Sequence, residues 1–211
     1  QNIPILSFLW LRGRCAHCAA PISRRYPVVE ATAGLLSVVS AYHFGPTWQL
    51  AAALPFAWTL LALALIDIDH QLLPDSMTLP LMWAGLLLGL VSIAGAPLFV
   101  DLRSSVVGAA IGYSSLWAVY QVFKLVTGRE GMGYGDFKLL AALGAWLGWQ
   151  RLPLVILLSA AVGAVLGSAL LFAAGKSRQT PIPFGPYLAA AGWIALLWGD
   201  EIVRWYGQFL Q

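Results

Sequence analysis

The chain has only nine acidic residues among 211, and three of them crowd one junction. LALALIDIDHQLLPD sets Asp67, Asp69 and Asp75 directly after an apolar run, and GMGYG delivers Asp136 into FKLLAALGAWLGW. A carboxylate at the centre of a membrane span costs about 2.5–3.5 kcal/mol on insertion scales, and less near the interface. Acids at the ends of apolar runs therefore ask for a reason. Two of them converging on one site could not both ionise readily, so the pair would hold a single proton. The ionised member could deprotonate a water while the protonated one donates to a peptide carbonyl, an acid and base set that splits an amide. Neither a metal nor a covalent intermediate is required. The alternative is that Asp67, Asp69 and Asp136 are solvated interfacial charges, with Asp136 capping the helix that follows it.

Glycines precede Asp136 at alternate positions, Gly131, Gly133 and Gly135. Glycine lets another backbone approach closely, so Gly133 and Gly135 are candidates for the surface on which an extended peptide lies. Ordinary loop glycines would look the same.

The elements that must position these groups are apolar. Hydrophobic residues make up 60% of the chain and charged ones 10%, against roughly 25% charged in soluble domains, and mean hydropathy is +0.77. Amphipathic segments are scarce. The sequence predicts an all-α, polytopic membrane protein of about seven helices, with the lipid bilayer as its surroundings. Candidate spans run over Val28–Phe44, Trp48–Ile66, Met77–Val100, Ser105–Val126, Phe137–Trp149, Leu152–Ala174 and Tyr187–Trp198, the last with room to continue through Val203. Pro80 and Pro153 read as first-turn prolines.

Positive residues orient such a chain. Arg12, Arg14, Arg24, Arg25, Lys124, Arg129, Lys138, Lys176 and Arg178 fall on one side, and Arg103, Arg151 and Arg204 on the other. The first side is expected to be cytoplasmic, and it carries both acid-bearing loops and SRQTPIPFGP. This placement in short loops explains the net charge of +3 without a nucleic-acid partner. Residues 1–25 read as a cytoplasmic loop segment and 26–211 as the membrane domain. The two cysteines, Cys15 and Cys18 in RCAHC, have a spacing that suits metal or redox chemistry more than a disulfide framework.

Gly133-Tyr134-Gly135-Asp136 is a Gly-x-Gly-Asp signature. Together with DIDHQLLPD, NIPILSFLWLRGRCAHC, PISRRYPVVE and TPIPFGPYLAAAGWIALLWGD, it resembles the bacterial type IV prepilin peptidases, intramembrane aspartic proteases. The resemblance runs from Asn2 to about Trp205. It implies two catalytic aspartates, Asp136 and an acid seven residues before a proline. Asp67, before Pro74, fits the second position, with Asp69 and Asp75 as competitors. It further implies a bacterial inner-membrane enzyme that removes the leader of prepilins and type II secretion pseudopilins on the cytoplasmic face. Pilus or secretion assembly machinery would be possible partners. Proteolysis would need no cofactor, and S-adenosylmethionine would serve N-methylation of the new terminus. Bifunctional relatives carry two Cys-x-x-Cys pairs after an additional N-terminal span. Here only Cys15 and Cys18 are present, which reads as an N-terminal truncation with an eighth helix missing. Tetrahedral zinc wants four ligands, so these two cysteines would be a partial site. PIPFGP resembles the proline-rich loop beside the active site of other Gly-x-Gly-Asp proteases. A transporter using the same acids is the rival reading.

Overall fold

The computed structural model describes residues 3–128, 131–173 and 183–209. Its helices are α1 (Leu6–Trp10), α2 (Arg25–Phe44), α3 (Trp48–His70), α4 (Asp75–Leu88), α5 (Leu102–Thr127), α6 (Tyr134–Leu147), α7 (Leu152–Ala173) and α8 (Gly185–Phe209). The all-α architecture is as expected. Among the described residues, three helical segments are long and apolar enough to cross a bilayer, Trp48–His70, Leu102–Thr127 and Trp149–Ala169. Of the topogenic residues, Arg129, Lys176 and Arg178 lie outside the described residues, as does the start of PIPFGP.

Helix ends shift by a few residues from expectation, α3 continuing to His70, and two boundaries differ by more. The third apolar segment is helical only to Leu88; β1 (Ser92–Ile93) and β2 (Ala96–Pro97) then pair antiparallel. Gly95, at φ +83°, supplies the left-handed turn between them. The seventh segment continues well past Trp198, to Phe209. Pro153 is in the first turn of α7, as expected, but Pro80 is the sixth residue of α4 and lies in its interior.

The chain divides into two compact units, residues 1–58 and 59–211, with the boundary inside α3. In the first, Glu30 on α2 accepts the Ile5 backbone N–H at 2.7 Å, fixing the start of α1. The Trp58 indole donates to Ser37 at 3.0 Å. The turn holding Cys15 and Cys18 is closed by Cys15 N–H to the Ala20 carbonyl and Ala19 N–H to the Cys15 carbonyl.

The second unit is built around α6. From Asp136 to Leu147 nearly every residue of this helix is buried, which accounts for its lack of a polar face: α4, α5, α7 and α8 all pack on it. Side chains on the lipid-accessible helices are treated oppositely, with Leu125, Val126, Leu157 and Val165 exposed. Apolar residues both inside and outside suit a protein whose solvent is hydrocarbon.

Close backbone approach makes the α5–α6 seam. A Cβ on Gly108 would strike the Gly144 carbonyl, and one on Gly112 would lie 2.5 Å from the Leu140 carbonyl oxygen. Small residues permit such approach between membrane helices, where burial supplies little drive. Ser105, fully buried, ties α5 to its neighbours by donating to the Ala145 carbonyl at 2.6 Å and toward that of Gly85. Gly108→Ala should therefore separate α5 from α6 and cost about 1–3 kcal/mol. Gly34→Ala, where an added methyl meets nothing within 4 Å, should leave stability unchanged or improve it by up to about 1 kcal/mol. Thermal midpoints of the two variants in detergent compare them directly.

Candidate active site

Asp67 occupies the last turn of α3, on the stripe that buries Leu60 and Leu63. Spacings of three and four place these residues on one helix face. Asp136 is the third residue of α6, whose N-cap is Gly133 in extended conformation. Asp136 is therefore not the cap, but its charge lies in the first turn, where the helix dipole favours an anion. Both carboxylates are nearly enclosed, at 6% and 8% exposure. Both line one cleft of about 480 Å³, with Leu73, Asp75, Gly133, Gly135 and Lys138 among its walls. Of the competing acids, Asp75 stands exposed on the wall of that cleft, whereas Asp69 is exposed and is not among its lining residues.

A backbone donor holds Asp67. The Gly185 N–H, at the start of α8, donates to its Oδ2 at 2.9 Å. A Cβ on Gly185 would fall 2.7 Å from that same oxygen and 3.2 Å from Leu73. Only glycine fits there. By sequence PIPFGP resembles a proline-rich loop beside an active site, but no residue in it is singled out, because the Gly185 backbone N–H leaves no mark in the alphabet of side chains. The bare position beside the carboxylate was the available clue.

Leu73 sits between these parts. It is 5% exposed, and a Cβ on Gly135 would come 2.8 Å from its own Cβ. The missing side chain at Gly135 thus seats the loop after Asp67 against the turn carrying Asp136. Gly133 differs: an added Cβ would meet the Asp136 carboxylate only at ordinary contact, 3.7 Å, so its backbone stays open to the cleft.

Asp136 lies outside the three spanning helices. Burial first, and the neighbouring Asp67 charge second, push its carboxyl up to about 7, against a smaller opposing pull from the Gly133 backbone N–H. The two aspartates therefore sense each other. One consequence concerns stability. Between the ordinary carboxyl value of 3.8 and about 7, the folded chain binds a proton that the unfolded chain has released, so stability falls as pH rises through that window. Asp136→Asn removes this step. It should raise the thermal midpoint relative to wild type near pH 8 and lose most of that advantage by about pH 4. A scan of midpoint against pH reads this, and an offset independent of pH would contradict the shared-proton arrangement.

Cys15 and Cys18 are free thiols, and Cys18 is exposed. The backbone N–H of Cys18, then that of His17, and the Cys18 thiol hold the Cys15 thiol below its usual range. No three of His, Cys, Asp and Glu are gathered to hold a metal ion among the described residues. Two thiols and an intervening histidine do not make the four-ligand set of structural zinc.

The Type IV leader peptidase family matches residues 54–168, and the Bacterial Peptidase A24 N-terminal domain matches residues 1–44. A prepilin leader peptidase/N-methyltransferase of Aeromonas hydrophila is 60% identical over 206 residues, covering 98% of this chain and 69% of the relative. One from Stutzerimonas stutzeri is 59% identical over 209 residues, 99% of this chain and 71% of the relative. A third, from Pseudomonas aeruginosa, is 58% identical over 209 residues, with 99% and 70% covered. No solved structure matches the chain. Taken with the paired aspartates, these matches have one meaning: the chain belongs to the Type IV leader peptidase family.

Proposed function

We propose that the chain is an intramembrane aspartic endopeptidase that removes the leader of type IV prepilins and type II secretion pseudopilins, with Asp67 and Asp136 as its catalytic pair. The observation that carries this is the meeting of two buried carboxylates in one open cleft, one of them fixed by the Gly185 N–H. Asp136, with its raised value, holds the proton. Asp67, whose Oδ2 already accepts a backbone donor, is the base. A water between them gives a proton to Asp67 as its oxygen bonds to the scissile carbonyl carbon, while Asp136 protonates the carbonyl oxygen. As the gem-diol collapses and the C–N bond breaks, Asp67 gives its proton to the departing nitrogen and a gem-diol hydroxyl returns its proton to Asp136, which restores the single shared proton.

Gly133 offers backbone along the path a peptide would follow, while Gly135 holds the wall together through Leu73. The membrane domain, residues 26–211 in this reading, carries the peptidase, and residues 1–25 with Cys15 and Cys18 belong to a cytoplasmic loop. The asymmetry of Lys and Arg supports a cleft on the cytoplasmic side of the bacterial inner membrane, where the pilus or secretion assembly machinery would meet it. The transporter alternative finds no support, since the acids gather at helix ends rather than along a pathway.

The relatives' names couple peptidase to N-methyltransferase. We further propose an S-adenosylmethionine-dependent methylation of the new N-terminus. In residues 1–58 the one acid is Glu30, which lines a cavity of about 350 Å³ but spends a carboxylate oxygen on the Ile5 N–H. That donor set does not amount to a site for the methyl donor, and the peptidase steps make no use of one.

Purified protein in detergent, given a prepilin with its leader, should release the leader. Asp67→Asn and Asp136→Asn should each reduce cleavage by at least about a thousandfold while retaining a cooperative thermal transition, and Asp69→Asn should stay within about threefold of wild type. Gly185→Ala should lose most activity, because its methyl displaces the Asp67 carboxylate. Full activity in Asp67→Asn, with loss in Asp69→Asn, would move the base to the other acid.

A further inference from the structure

One pair on the cleft wall is not used by the chemistry above. Lys138 Nζ lies 2.7 Å from both carboxylate oxygens of Asp75, joining the first turn of α4 to α6 across 63 positions of sequence. Their side chains are 31% and 55% exposed, and ion pairs in such surroundings add little to stability. Their place matters more than their strength. Both residues line the same cleft as Asp67 and Asp136, and Lys138 follows Asp136 by two positions on the same helix.

A cation close to the paired aspartates would work against them. Positive charge favours ionisation of both carboxylates, whereas hydrolysis needs one of them protonated. The groups around the pair can be named. Asp67 comes from α3, Asp75 from α4, and Tyr134, Asp136 and Lys138 from α6. On α5, Lys124 is 3.3 Å from the Tyr120 hydroxyl and lies over that ring, which packs on Tyr134. Tyr187 of α8 lies against Gly163 of α7. Asp69 and His70 end α3 beyond the lining residues. Lys138 is thus the one cation among the described lining residues, and its flexible stem could carry the ammonium toward Asp136 if nothing held it.

We propose that Asp75 is a positioning residue: by gripping the Lys138 ammonium on the cleft wall, it keeps that charge off the Asp67–Asp136 pair, which therefore retains its single proton. The inference rests on the aspartic peptidase reading for its purpose, but not for its test. In Asp75→Asn the released ammonium stabilises the doubly ionised pair. In Lys138→Gln the Asp75 anion remains, and the pair holds its proton more firmly. The double variant Asp75→Asn/Lys138→Gln has neither charge.

The four proteins are compared in two ways, by the pH profile of kcat/KM on a prepilin and by the pH dependence of the thermal midpoint without substrate. The alkaline limb should move down by about one pH unit in Asp75→Asn, move up in Lys138→Gln, and return close to wild type in the double variant. The fall in midpoint with rising pH should shift in the same order. Profiles that change in height but superimpose on the pH axis would make the pair merely structural and overturn the proposal. Should the wild type leave the prepilin uncut, the peptidase reading fails, and the midpoint series still decides whether Asp75 governs the proton.

Discussion

Enclosing two carboxylates side by side is the constraint on which the second unit depends. Asp67 and Asp136 retain 6% and 8% of their surface, and neither has a basic partner within an ion pair given by the described residues. Burial of an unpaired charge is expensive, so the surroundings must offset it with dipoles and with a proton. Gly185 provides an N–H to Asp67, Gly133 provides one to Asp136, and the first turn of α6 aligns its dipole with the same charge. The rest of the compensation comes from leaving the pair one negative charge short. In the proposed peptidase reading, reactivity and stability are therefore opposed at the same two carboxylates: the burial that keeps a proton on Asp136 is what makes that proton available.

The glycines divide according to this constraint. Gly108 and Gly144 bring α5 and α6 into backbone contact, and the Ser105 hydrogen bond to the Ala145 carbonyl adds to it. Gly135 admits Leu73, and Leu73 in turn abuts Gly185, so that the loop after α3, the first turn of α6 and the start of α8 close around the pair. A side chain at any of these positions would act first on geometry and only through it on chemistry. Gly133 alone leaves open backbone beside Asp136.

Much of this was legible in the sequence, for a physical reason. Helices in an apolar solvent must announce themselves as apolar runs, and acids that interrupt such runs stand out; hence α5 begins within three residues of its expected start, α7 begins at the expected Leu152, and Asp67 and Asp136 are visible as anomalies. What escaped was information carried by backbone or by distance along the chain. The end of α4 at Leu88 was hidden because Val91, Ile93 and Leu98 read as continued span, although Gly89 and Gly95 punctuate it. Gly185 contributes through its N–H, and Asp75 meets Lys138 from 63 positions away. Neither relation has a local periodicity to read.

The length of α6 joins the parts. Its 14 residues rise about 21 Å at 1.5 Å per residue, less than the roughly 30 Å of a hydrocarbon core. A helix so short, buried all round by others, leaves backbone and carboxylate at its N-terminal end where lipid could not satisfy them. Irregular polar backbone at that depth is tolerated only beside protein or a water-filled recess, and the 480 Å³ cleft is such a recess. In the proposed reading that recess brings water to an Asp136 that is otherwise nearly enclosed. A substrate can then keep its apolar helix in lipid and bring only the extended segment ahead of it to the carboxylates. Extraction of the helix, the step that a soluble protease could not avoid, is removed by the shape of the enzyme.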